Sequence, residues 1–156
     1  MADSKRLWKP GGPVIETAGP GMNGSSMYSC VTRDIEVTVL PEFVPERSDV
    51  DESQYFWAYT VEIANQSKTT VQVTARHWKI TDANGRLEEV KGAGIVGEQP
   101  VLKPGETFRY TSGCPLTTSS GIMLGTYRVV DEAGVVFEIE IPAFSLDSPF
   151  TRRVIN

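Results

Sequence analysis

Tyr55, Trp57, Tyr59, Val61 and Ile63 occupy five successive odd positions, separated by Phe56, Ala58, Thr60 and Glu62. Side chains of a strand alternate between faces, so this spacing predicts a strand with one buried and one solvated side. A helix would scatter these five residues around its whole circumference. On this reading Trp57 faces a core and Phe56 faces outward; the reversed parity would make an exposed aromatic platform.

The same period recurs along the chain. Ile35, Val37 and Val39 alternate with Asp34, Glu36 and Thr38. Val71, Val73 and Ala75 hold one parity and Trp78 and Ile80 the other, so the strand over 71–81 carries a bulge or changes sheet. Further strands are predicted over 86–91, 107–112, 123–130 and 135–144. Asp82-Ala83-Asn84-Gly85, Lys103-Pro104-Gly105-Glu106 and Asp131-Glu132-Ala133-Gly134 are tight turns. The segments 41–53 and 114–121 read as loops. Seven short strands with turn chemistry between them, and no amphipathic helical window, predict an all-β sandwich of immunoglobulin or fibronectin type III kind over 28–156. Residues 1–27, with five glycines and three prolines, read as a Gly/Pro-rich extension without a core of its own, a flexible tail or a docking segment around Trp8.

A chain of 156 residues with 40% hydrophobic content has enough material for one core. The net charge of -5, without a clustered Lys/Arg face, argues against nucleic acid as a partner. No apolar run is long enough to cross a bilayer as a helix, so a channel or pump acting alone is not expected. The N-terminus lacks the apolar stretch of a secretory signal. Cys30 and Cys114 are too few for a disulfide framework, so a reduced, cytoplasmic protein is expected.

Gly92, Gly94 and Gly97 make a GxGxxG pattern within KGAGIVGEQP. A dinucleotide fingerprint needs a helix immediately after it, its N-terminus meeting the pyrophosphate. Pro100, Pro104 and Gly105 follow instead, and no helix fits. Two readings remain. The glycines form a backbone nest for a phosphate, assisted by Lys91 or Lys103; or they form a bulged crossover where Cβ atoms would clash. His77 is the only histidine and reads as a hydrogen-bonded strand residue. One histidine and two scattered cysteines supply no metal-ligand set. Ser112 and Cys114 flank Gly113 with no base placed beside them, and Glu138 and Glu140 alternate as on an ordinary solvent face. No catalytic constellation and no cofactor site is expected.

From about Cys30 to Asn156 the chain is similar to the bacterial ApaG family. The runs that carry the resemblance are YFWAYTVEIANQS (Tyr55–Ser67), RHWKITDANG (Arg76–Gly85), VKGAGIVGEQPVLKPGETFRYTSG (Val90–Gly113), GIMLGTY (Gly121–Tyr127) and FEIEIPAFSL (Phe137–Leu146). The resemblance implies a fibronectin type III-like sandwich. It also implies a glycine motif for which pyrophosphate or nucleotide binding has been suggested, and genetic links to cobalt and magnesium resistance and to dinucleoside tetraphosphate metabolism. Similar domains in eukaryotic F-box proteins and in a polymerase-delta-interacting protein imply a protein-binding module. The expectation is a non-enzymatic module binding another protein through a sheet face or edge strand, with an edge strand also suited to homodimerisation. The second expectation is a phosphate or nucleotide ligand at Gly92, Gly94 and Gly97.

Overall fold

The computed structural model describes residues 27–150, in which two antiparallel sheets enclose one core. The predicted tail over 1–27 lies, apart from Met27, outside the described residues. In chain order the strands are β1 (Tyr28–Thr32), β2 (Ile35–Phe43), β3 (Tyr55–Asn65), β4 (Val71–Asp82), β5 (Leu87–Ala93), β6 (Val101–Leu102), β7 (Thr107–Leu116), β8 (Ser120–Asp131) and β9 (Val136–Asp147). One sheet has the order β1-β2-β3-β7; the other runs β5-β4-β8-β9, with β6 also paired to β4.

Against the expected seven strands, the described residues form nine. β1 escapes a period-two reading because Tyr28, Cys30 and Val31 put apolar groups on both parities, and β6 is only two residues long. Pro41 continues β2 opposite Tyr59, and two single-turn 3-10 helices, Pro45–Arg47 and Val50–Glu52, occupy the predicted 41–53 loop. The predicted loop over 114–121 contracts to three residues between β7 and β8.

The alternation in β3 holds: Trp57, Tyr59, Val61 and Ile63 are buried, and Phe56 lies on the outer face under the Arg47 guanidinium. The phase switch in β4 is a bulge, where the register with β8 shifts between Val73 and Ala75. Gly85, Gly105 and Gly134 each take positive φ within the three predicted turns.

The two long sides of the sandwich differ. On one side β1 and β9 are stitched across the sheets. The Cys30 thiol donates to the Glu140 carbonyl (3.1 Å), and the Glu140 N–H donates to Thr32 Oγ1 (3.1 Å). The opposite side, between β7 and β5, has no strand beyond either edge among the described residues.

Candidate functional site

The glycine stretch bridges the β4 bulge. β5 leaves β4 after Ala93 pairs with Ala75, and β6 rejoins it where Val101 pairs with Gln72. Between them, Gly94 N–H donates to the carbonyl of Thr74, the residue skipped by the register (2.7 Å). The Gln99 side chain donates to the same carbonyl (3.1 Å), and Val73 N–H donates to Pro100 O (3.0 Å). Ile95 and Glu98 exchange reciprocal backbone hydrogen bonds of 2.7 and 2.9 Å around Val96 and Gly97, both at positive φ (49° and 84°). That is the type I′ geometry of a two-residue hairpin. It drives Ile95, fully buried, into the core. Val96 holds a backbone conformation costly for a β-branched residue, while its side chain packs against the core.

Each glycine has its own steric reason. Gly94 takes φ 67°, and a Cβ there would lie 2.5 Å from the Glu98 carbonyl oxygen. Gly97 has positive φ in open space. Gly92 is a shelf for the Arg76 guanidinium, which would lie 2.8 Å from an added Cβ. Arg76 Nη1 donates from this shelf to the carbonyls of Ala93 (3.1 Å) and Gly94 (3.0 Å), tying the loop to β4. Gly94 and Ile95 N–H groups are thus engaged by the protein's own carbonyls.

Beside Gly92 lies a hollow of 340 Å³ lined by Arg76, His77, Lys91, Thr126, Arg128 and Glu138, with Ala75. Lys91 lines this hollow. Lys103 is elsewhere, in the turn between β6 and β7, where its N–H donates to Glu106 Oε1 (2.9 Å). Arg128 and Thr126 come from β8, across the sheet, and local sequence gives no sign of them. His77 pairs with Glu89 (2.8 Å) on the outer face, and that hydrogen bond holds the Glu89 carboxyl below its ordinary value. No group of three or more His, Cys, Asp or Glu residues suited to a metal ion is present among the described residues.

The larger opening, 560 Å³, lies on the open side between the sheets. Its floor is Tyr59, Trp78, Met123 and Cys114; Tyr55, Ile80 and Leu116 extend it, and Arg47, Arg86 and Glu88 stand at its rim. Tyr59 and Trp78 meet edge to face at 5.4 Å. The lining comes from five strands, the 3-10 segment and the connections that hold Gln54, Arg86 and Thr117, so no local motif announces it.

Behind this floor Tyr110 and Tyr127 share a hydrogen bond between their hydroxyls, joining the two sheets inside the core. Burial, and then the Glu88 charge, push the Cys114 thiol up from 9.0 to about 12. Burial likewise pushes Tyr59 up to about 12, against a smaller opposing effect from its hydrogen bond with Ser112. Tyr110 and Tyr127 also lie well above their ordinary range, with burial the main cause. In each case the unfolded chain releases its proton first. The folded state therefore holds its full advantage below about pH 9 and loses it as pH rises toward 12. At roughly 1.4 kcal/mol per pH unit for each group, the loss amounts to several kcal/mol. Urea midpoints are expected to fall steeply between pH 9 and 11, and a flat profile would show these groups to be solvated. The same burial makes Cys114 a poor nucleophile at neutral pH.

Comparison with known proteins gives one consistent result. The ApaG domain family model matches residues 45–131. Protein ApaG of Beijerinckia indica is 78% identical over 130 residues, 83% of this chain and the whole of that protein. Protein ApaG of Methylocella silvestris is 74% identical over the same shares. The crystal structure of an ApaA protein from Bordetella pertussis superimposes with a TM-score of 0.73 at 53% identity, covering 76% of this chain and 96% of that one.

Proposed function

The chain belongs to the ApaG domain family, and from that premise we propose that it is a non-enzymatic sandwich module, of fibronectin type III-like kind, that binds another protein in the cytoplasm. One observation carries this reading: among the described residues the sandwich is stitched shut along β1 and β9 and left open along β7 and β5, where an aromatic-floored opening meets strand edges with no neighbour. Unpaired edges beside an apolar recess are what strand-adding partners use. Around the opening the described lining sets Asp82 and Glu88 against Arg47 and Arg86, without a histidine. Its one thiol is held protonated, and the sole histidine lies on the outer face of β4 with Glu89 as partner. No helix long and apolar enough to cross a membrane is present among the described residues.

The test is site-directed photo-cross-linking in cells. A photoreactive residue at Thr117, on the opening, is expected to give a discrete protein adduct. The same residue at Thr38, on the outer face of β2, is expected to give none. Equal labelling at both positions, or none at either, would count against the module.

A second reading has its own observation. Lys91 and Arg128 flank the hollow beside Gly92, and neither has an ion-pair partner within 4.0 Å among the described residues. A phosphate there would meet two cations and the Thr126 hydroxyl. If this site operates, calorimetric titration with pyrophosphate, ADP or a dinucleoside polyphosphate gives saturable heat. That heat is lost in the double variant Lys91→Glu, Arg128→Glu. If only the protein-binding reading holds, no saturable heat is seen.

A further inference from the structure

The two edges bordering the opening are not equivalent. β5 presents Glu88, Glu89 and Lys91 along seven residues, and charged side chains on an edge discourage a further strand. β7 carries no charge from Tyr110 to Leu116, and among the described residues no strand lies beyond it. A long uncharged edge invites pairing with another chain unless something covers it. Pro115 withholds one backbone donor and leaves the rest of the segment available.

The side chains along this edge alternate between two surfaces. Tyr110, Ser112 and Cys114 point inward, and Cys114 and Leu116 line the opening. A strand added to β7 would follow the same pleat, so every second side chain would enter the opening above Tyr59 and Trp78. At 560 Å³ the recess lies within the range of small-ligand sites and has room for a large aromatic or aliphatic group. Met123 in the floor adapts to the shape of what enters. The rim carries both signs, Arg47 and Arg86 against Glu88, so it does not select for a strongly charged segment.

We infer that β7 accepts an extended, largely uncharged segment of a partner protein as an added strand, with one aromatic or leucine-sized side chain anchored against Tyr59 and Trp78. This rests on the protein-binding reading and makes it specific. Main-chain hydrogen bonds along β7 hold the segment, and the anchor in the recess fixes its register.

A display library of random ten-residue segments, selected against the full chain and counter-selected against an unrelated β-sandwich, tests the inference. The enriched segments are expected to alternate apolar and small polar residues around one Trp, Phe, Tyr or Leu. A synthetic peptide of the enriched sequence is expected to shift the Trp78 indole and the Cys114 and Leu116 amide resonances. Methylating alternate backbone nitrogens in the register facing β7 is expected to weaken it at least tenfold, as is replacing its anchor by Asp. Methylation in the other register is expected to have little effect. A peptide that binds equally well when methylated in either register would overturn strand addition. Shifts confined to Leu87, Ile122 and Leu124 on the outer face would also overturn it while leaving the protein-binding module standing. No enrichment over the control sandwich would sink both.

Discussion

Replacing Gly94 by valine is expected to destabilise the protein by about 3 kcal/mol or more, a fall in Tm on the order of 10 °C. Three effects add. A non-glycine residue at φ 67° costs about 1–2 kcal/mol, and β-branching raises that. The new Cβ must also displace the Glu98 carbonyl, only 2.5 Å away, which accepts the Ile95 N–H. Moving that carbonyl disturbs the turn that holds Ile95 in the core. Gly97→Ala is the control. Its φ is also positive, but open space surrounds it, so only the backbone cost of about 1 kcal/mol applies. If urea unfolding ranks the two variants this way, the motif is held by backbone geometry. If both are as stable as the parent, the loop is not built as described.

Trp57→Ala is expected to cost about 3–5 kcal/mol, as large aromatic truncations in packed cores do. Trp57 is 1% exposed and packs against Phe43 at 5.5 Å and Tyr55 at 6.4 Å. Its Nε1–H donates to the Asp147 carbonyl (2.9 Å), tying β3 of one sheet to the end of β9 in the other. Truncation leaves a cavity and strands that carbonyl together. Trp57→Phe separates the two effects, since it keeps most of the packing and loses the hydrogen bond, for about 1–2 kcal/mol. Denaturant midpoints of the two variants give the comparison directly.

Local alternation and local turn chemistry could be read from the chain; features assembled from distant segments could not. Trp57 and its neighbours declare their face because five positions agree, and the β4 bulge shows where Val73 gives way to Trp78 as the buried parity, with Ala75 already on the outer face. The failure of GxGxxG as a helix-opening fingerprint was legible in Pro100 and Pro104. What the three glycines accommodate was not. Arg76 reaches Gly92 across a strand pair, and Gly94 avoids a carbonyl four residues on. Lys103 is near the loop in sequence, but a separate turn holds it. Arg128 belongs beside Lys91 only through the β4–β8 register, and the Tyr59–Trp78 floor exists only because the two sheets face each other. β1 is hard to read from sequence for a related reason: its Cys30 and Thr32 bond to β9, so its place depends on tertiary contacts more than on pattern.

The open β7 edge is the premise on which the binding reading stands, and amide hydrogen exchange of the full chain by NMR tests it most directly. Alternate N–H groups of an edge strand point to its neighbour and the rest point to solvent. With nothing covering the edge, the N–H groups of Thr107–Leu116 are expected to alternate between slow exchange and exchange too fast to follow, Pro115 having none. Slow exchange at every one of them would mean that the edge is already covered in the protein alone, and would contradict the account.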